Sequence, residues 1–135
     1  MSRQLFVNLP VGNLDRSVEF FTKLGFTFNP QFTDETATCM ILGENNFVML
    51  LTDEKFATFT PNPISDAKET TEVLMALSYD SREEVDEQVR LAIEAGGNAY
   101  SEPKDYGFMY SHGYQDLDGH IWEVFYMDAS KFPNS

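Results

Sequence analysis

Cysteine is all but missing from this chain. Cys39 stands alone among 135 residues, so an intrachain disulfide cannot form and a cysteine-based zinc site is excluded. Basic residues are scarce as well: nine lysines and arginines face 22 aspartates and glutamates, a formal charge of −13. They do not cluster, so the composition disfavours nucleic acid, anionic lipid and highly anionic ligands as partners. No hydrophobic run approaches the roughly 18 apolar residues that a bilayer-spanning helix needs. Met1-Ser2-Arg3-Gln4 lacks the charged-then-apolar pattern of a signal peptide, so a soluble, cytoplasmic protein without a membrane partner is expected. There is no glycine-rich phosphate loop and no nucleophile elbow.

What the chain does have is apolar mass and an internal repeat. A hydrophobic fraction of 42% with twelve phenylalanines can fill a real core. Leu5–Val11 reads as a strand running into a helix that ends at Gly25, and Val73–Tyr79 reads as a strand running into a helix that ends at Gly96. Each helix is followed by short strand-like runs. Because one such unit rarely buries its own apolar face, two units sharing a concave surface are expected. Residues 1–135 are therefore read as a single α+β domain of two βαβββ modules, over 1–60 and 70–135, with a connector at 52–69.

Local signals place the elements. Asn13 suits a helix N-cap, and Leu14, Val18, Phe21 and Leu24 fall at helical spacing on one face. Phe26–Phe28, Ala37–Leu42 and Asn46–Leu51 read as strands, the last two joined by a turn at Gly43–Asn46. Pro61 and Pro63 break regular structure in the connector. Its Phe56 and Phe59 cover a core edge, lid a pocket or contact a second subunit. Ser81 with Glu84 matches a capping box, and Val85, Val89, Ala92 and Ile93 form the expected buried stripe of the second helix. Asn98–Ser101, Gly107–Tyr114 and His120–Tyr126 complete the strands.

Two motifs carry a resemblance across nearly the whole chain. Asn13-Leu14-Asp15-Arg16-Ser17-Val18-Glu19-Phe20-Phe21 follows the first strand, and Asp116-Leu117-Asp118-Gly119-His120-Ile121-Trp122-Glu123 lies near the end. In this the chain resembles the vicinal oxygen chelate superfamily, which includes glyoxalase I, bleomycin-resistance proteins and extradiol dioxygenases. Asp105-Tyr106-Gly107-Phe108-Met109-Tyr110 is similar to a subgroup described as lactoylglutathione lyase-like. The resemblance implies a curled mixed sheet, an open barrel around a pocket, and a homodimer. In catalytic members it implies a divalent metal held by His, Gln or Glu from the first and fourth strands of each module, acting as a Lewis acid. Carried onto this sequence, those positions fall at Phe6, about Leu50, Leu74 and Glu123. Three of the four have no lone pair to offer, so no cofactor is expected, and no metal site.

Glu123 lies amid Ile121, Trp122, Val124 and Phe125, and burying a carboxylate there without a partner is costly. It is either held by a hydrogen bond or is a pocket group that contacts ligand or serves as a base, the best catalytic candidate in the chain. Alternation puts Ile121 and Phe125 on its face and turns Trp122 and Val124 toward a helix. Asn8, on the face of Phe6, could bind a ligand or satisfy a backbone group. Tyr110, His112 and Tyr114 share a face and, with Gln115, could form a polar patch at a pocket mouth. His120, in a turn, is expected to be exposed. The pocket set is thus Phe6, Asn8, Leu50, Leu74, Tyr110, His112 and Glu123. Three functions compete: an apolar pocket binding a small organic molecule, a lyase, isomerase or dioxygenase whose metal is held by unusual ligands such as His112, and a scaffold for self-association.

Overall fold

The structure, a computed structural model, describes residues 3–132. It divides into two compact units, residues 1–65 and 66–135. Each is a βαβββ module of α+β architecture, and neither sheet is closed. Among the described residues no helix is long and apolar enough to cross a membrane.

In the first unit, β1 (Leu5–Val11) leads into α1 (Leu14–Lys23), followed by β2 (Thr27–Asn29), β3 (Ala37–Ile41) and β4 (Asn46–Thr52). The sheet order is β1-β4-β3-β2, with β1 parallel to β4 and the other pairs antiparallel. A parallel pair cannot be closed by a tight turn, which is why a helix and two strands separate β1 from β4. The Asn13 side chain accepts from the Arg16 N–H at 3.1 Å and starts α1. Gly25, at φ 99°, takes the left-handed position that ends it.

The buried stripe of α1 is Ser17, Phe20, Phe21 and Leu24, whereas Leu14 and Val18 are only half-buried. The helix is thus turned from the face expected over Leu14, Val18, Phe21 and Leu24. The bulk of two adjacent rings decides it: Phe20 and Phe21 meet edge to face at 4.9 Å and both go inside. Beneath them lies the sheet face of Leu9, Met40, Val48 and Leu50, all 4% exposed or less.

After β4, Thr52 caps a short helix α2 (Asp53–Ala57), accepting from the Lys55 N–H at 3.2 Å. This helix lies inside the stretch expected to be irregular. It leaves Phe56 half-buried and Phe59 66% exposed beneath the Lys55 ammonium.

The second unit repeats the order: β5 (Leu74–Ser78), α3 (Arg82–Glu94), β6 (Lys104–Asp105), β7 (Met109–Gln115) and β8 (Ile121–Met127), paired β5-β8-β7-β6 with β5 parallel to β8. Ser81 caps α3 through the Glu84 N–H at 3.1 Å. The Glu84 carboxylate reaches back to the N–H of Asp80 at 2.9 Å, one residue ahead of the cap. Val85, Val89 and Ala92 are buried, but Ile93 is 49% exposed and drops out of the expected stripe. The strand expected over Asn98–Ser101 reduces to one bridge between Asn98 and Gln115, and the edge strand forms at Lys104–Asp105 instead.

Candidate functional site

Registered residues of neighbouring strands share a face, so strand pairing sorts the candidate side chains. In the second unit Ala76, Glu123 and Gly113 form one row across β5, β8 and β7, and Leu77, Val124 and His112 form the next row on the opposite face. Trp122, Val124 and Tyr114 are fully buried, with Trp122 and Tyr114 stacked at 6.4 Å. That is the face under α3, because the Tyr110 hydroxyl donates to Asp86 of the helix at 2.6 Å. Arg82, at the start of α3, lies 5.0 Å over the Tyr110 ring and grips Asp105 of β6 with both terminal guanidinium nitrogens, at 2.8 and 3.2 Å. The Arg82 contact and the Gly107 N–H hold the Asp105 carboxyl down at about 2. The Asp86 hydrogen bond, then burial, push the Tyr110 phenol up to about 12.

Tyr110 and His112 therefore belong to the helix side, where His112 Nδ1 accepts the Gly113 N–H at 2.9 Å. Glu123 and Leu74 belong to the other, open side, with Ile121 and Phe125 beside them as alternation requires. Leu74 is 54% exposed and Glu123 half-buried. The structure does not bring His112 and Glu123 together, nor does it join Tyr110 to Leu74.

The open side holds a residue that sequence reasoning missed. Gly113 lies directly across from Glu123, and a Cβ built on it would meet the Tyr100 hydroxyl at 2.5 Å and the ring at 2.9 Å. Tyr100 thus lies across β7 in a notch that only glycine leaves, on the row that holds Glu123. Burial first, then the nearby Glu123 carboxylate, push the phenol up to about 12. The signal in the sequence was a glycine inside a strand otherwise built of bulky residues, which marks a close approach.

In the first unit the same sorting separates Phe6 and Asn8 from Leu50. Phe6 pairs with Phe47 and Asn8 with Met49, on the side away from α1, while Leu50 pairs with Leu9 in the core. Phe6, 40% exposed, stacks on Phe47 at 4.8 Å, and Asn8 is exposed. The repeat gives a reason to move one position. Asn8 precedes the Asn13 cap by the same five residues that separate Ala76 from the Ser81 cap. The partner of Ala76 is Glu123, and the partner of Asn8 is Met49. Met49, not Leu50, is the counterpart of Glu123.

The turn between β7 and β8 is organised by Asp116, only 4% exposed. Its carboxylate accepts from the N–H groups of Asp118 and His120, each at 3.0 Å, and from the Trp122 indole at 3.0 Å. Burial pushes its pKa up against these contacts. His120 is half-buried here, because the turn folds back on Asp116. Alongside lies a cleft of about 440 Å³ lined by Lys68, Asn98, Gln115 and Leu117, among others. Among the described residues no group of three or more His, Cys, Asp or Glu side chains could hold a metal ion.

Residues 3–43 match a family described as bleomycin resistance protein-like, N-terminal. A hypothetical protein from S. aureus is 30% identical over 93% of this chain and 95% of its own, with a TM-score of 0.79. A glyoxalase/bleomycin resistance protein/dioxygenase from Nocardioides is 24% identical, covering 100% and 91%, with a TM-score of 0.72. A glyoxalase/bleomycin resistance protein/dioxygenase family enzyme from Burkholderia phytofirmans PsJN shares the fold at 16% identity, covering 93% and 99%, with a TM-score of 0.77. No curated protein matches the chain in sequence.

Proposed function

The chain belongs to the vicinal oxygen chelate superfamily, the glyoxalase/bleomycin-resistance/dioxygenase group, and from that premise we propose that it binds a small, partly aromatic organic molecule without a divalent metal. The observation that carries this reading is the donor set. The positions that the resemblance implies for the ligands of catalytic members, adjusted by strand pairing within each unit, fall at Phe6, Met49, Leu74 and Glu123. Phe and Leu have no lone pairs, and a thioether suits soft metals rather than zinc, nickel, manganese or iron(II). One carboxylate alone does not make such a site. His112, the residue an unusual metal site would have to recruit, lies on the other side of its sheet from Glu123. The residues present do not fit the family's metal, and no reaction step is derived through one.

What the open sheet faces do offer suits binding. On the first unit Phe6 and Phe47 present stacked rings beside Asn8, and on the second Leu74 presents an exposed aliphatic surface on the face of Glu123; each face is a binding surface by itself. Ligand pockets combine these in similar proportion: much apolar surface and a few placed polar groups. The test is a thermal-shift screen of small aromatic compounds against the purified chain. Binding at about one hundred times Kd stabilises by about 2.7 kcal/mol. A dose-dependent rise in melting temperature that Phe6→Ala or Leu74→Ser diminishes, according to the face that binds, is the expected result. No compound raising the melting temperature would sink the proposal. Self-association remains part of the reading, with exposed Phe59 as an anchor. A chain that stays monomeric by light scattering at high concentration would remove that part alone.

A further inference from the structure

We propose that the cleft beside the β7–β8 turn is a second binding site, one that takes a small neutral ring with a carbonyl–N–H–carbonyl edge, a cyclic imide of the pyrimidinedione type. All its lining residues belong to the second unit, and none is Phe6, Phe47, Leu74 or Glu123, on which the binding function above rests. Its volume of about 440 Å³ falls within the range of roughly 300–1,000 Å³ that small-molecule sites occupy.

Backbone pairing sets two carboxamides side by side at this cleft. The Asn98 N–H donates to the Gln115 carbonyl at 3.1 Å, and the Gln115 N–H to the Asn98 carbonyl at 2.7 Å. Residues directly opposed in an antiparallel pair put their side chains on the same face. Lys68 is placed by two further features. Asp66 turns the chain, its side chain accepting from the Lys68 N–H at 3.0 Å and its carbonyl from the N–H groups of Glu69 and Thr70, each at 2.9 Å. Gly119 then lets this turn close on the β7–β8 turn: a Cβ there would meet the Lys68 Cγ at 2.7 Å and its backbone nitrogen at 2.9 Å. Leu117 lies against Gly96 in a similar way, 3.2 Å from where a Cβ would stand, and supplies an apolar wall.

The hydrogen-bond inventory names the ligand class. Among the described residues, neither the Asn98 nor the Gln115 side chain makes a hydrogen bond, and the Lys68 ammonium makes no ion pair. Asp116 also borders the cleft, but both its oxygens already receive N–H groups. What is left to a ligand is two carboxamides, which donate and accept, and an ammonium, which only donates. A carbonyl and an N–H on one ring edge answer the NH2 and the oxygen of a carboxamide together, and a second ring carbonyl answers the ammonium. The flat face of the ring suits Leu117. A carboxylate leaves the carboxamide oxygens unanswered, and it meets the Asp116 charge beside the cleft and a formal charge of −13 on the whole chain. A hydrocarbon leaves all three polar groups unanswered.

The test titrates the full isotope-labelled chain with uracil, with N,N′-dimethyluracil, whose ring N–H groups are methylated, and with orotate, the uracil ring bearing a carboxylate. The backbone amides of Gly96, Asn98 and Gly119 report on the cleft. Uracil is expected to move all three signals. Dimethyluracil should bind about three- to tenfold more weakly, because it brings no N–H to the carboxamide oxygens. Orotate should bind no better than uracil. Asn98→Ala, Gln115→Ala and Lys68→Met, which keeps an apolar stem over Gly119, should each weaken uracil several-fold. Well-dispersed spectra show that each variant keeps the fold. Should Gln115→Ala disturb β7, Asn98→Ala and Lys68→Met, at exposed positions, decide the matter. The site is overturned if uracil leaves the Gly96 and Gly119 signals in place, if dimethyluracil binds as tightly as uracil, or if no variant weakens uracil. Orotate binding more tightly than uracil overturns the neutral ligand class and makes the cleft a carboxylate site. The thermal-shift screen of the open faces is independent of all these results.

Discussion

Asp116 shows what a single side chain does for this fold. A buried carboxylate is expensive unless both its oxygens are answered, and two backbone N–H groups on one oxygen and the Trp122 indole on the other answer them. In exchange it sets the β7–β8 turn and, through it, the register that puts Glu123 opposite Gly113. Asp116→Asn keeps the oxygen facing the backbone but turns an amide N–H toward the indole N–H. That leaves a buried donor unanswered and should lower the unfolding free energy by about 1–3 kcal/mol. Urea denaturation checks it, and a variant as stable as the parent would contradict it. The motif containing Asp116 drew attention in the sequence as a family signature. Its physical role is to position the site rather than take part in it.

At the scale of elements, α3 is pinned to its sheet through polar contacts at its N-terminal end: Tyr110 to Asp86, and Arg82 to Asp105. The second has a definite acid limit. The Asp105 carboxyl is held at about 2, below the ordinary aspartate value of 3.8. A depressed folded pKa contributes stability that is present above the unfolded value and lost as pH falls through the folded one. Between pH 4 and pH 2 the melting temperature of the parent should therefore fall more steeply than that of Asp105→Asn. Parallel slopes in scanning calorimetry would remove the ion pair from the account.

Elements were also the most legible scale in the sequence. Strand β1, both helix caps, and the alternation in β8 that turns Glu123 away from Trp122 follow from local rules, and the structure has them where those rules put them. What escaped depended on contacts distant in sequence. The stripe of α1 was displaced because the rings of Phe20 and Phe21 outweigh the regular spacing. The match at Leu50 slipped by one residue, enough to put a core side chain where a surface one belongs. Met49 emerged only once strand pairing was known. Tyr100 was invisible because nothing near it announces Glu123, and the glycine that seats it is thirteen residues away.

For the whole molecule, the duplicated βαβββ module is the main fact, and the two copies have diverged in a telling way. The second has a carboxylate at the centre of its open face, with the Tyr100 ring in the adjoining glycine notch. The first has a thioether at the matching position and stacked rings beside it. A net charge of −13 adds a long-range bias toward cations and against anions.

The central claim is that this superfamily fold works here by binding, without the family's metal. Plasma mass spectrometry on untagged protein tests it most directly, before and after incubation with zinc, nickel, manganese and iron followed by desalting. The account predicts no metal retained in proportion to protein, with Glu123→Gln indistinguishable from the parent. About one tightly held metal per chain, lost in Glu123→Gln, would contradict it and return the protein to the metal-dependent enzymes of its superfamily.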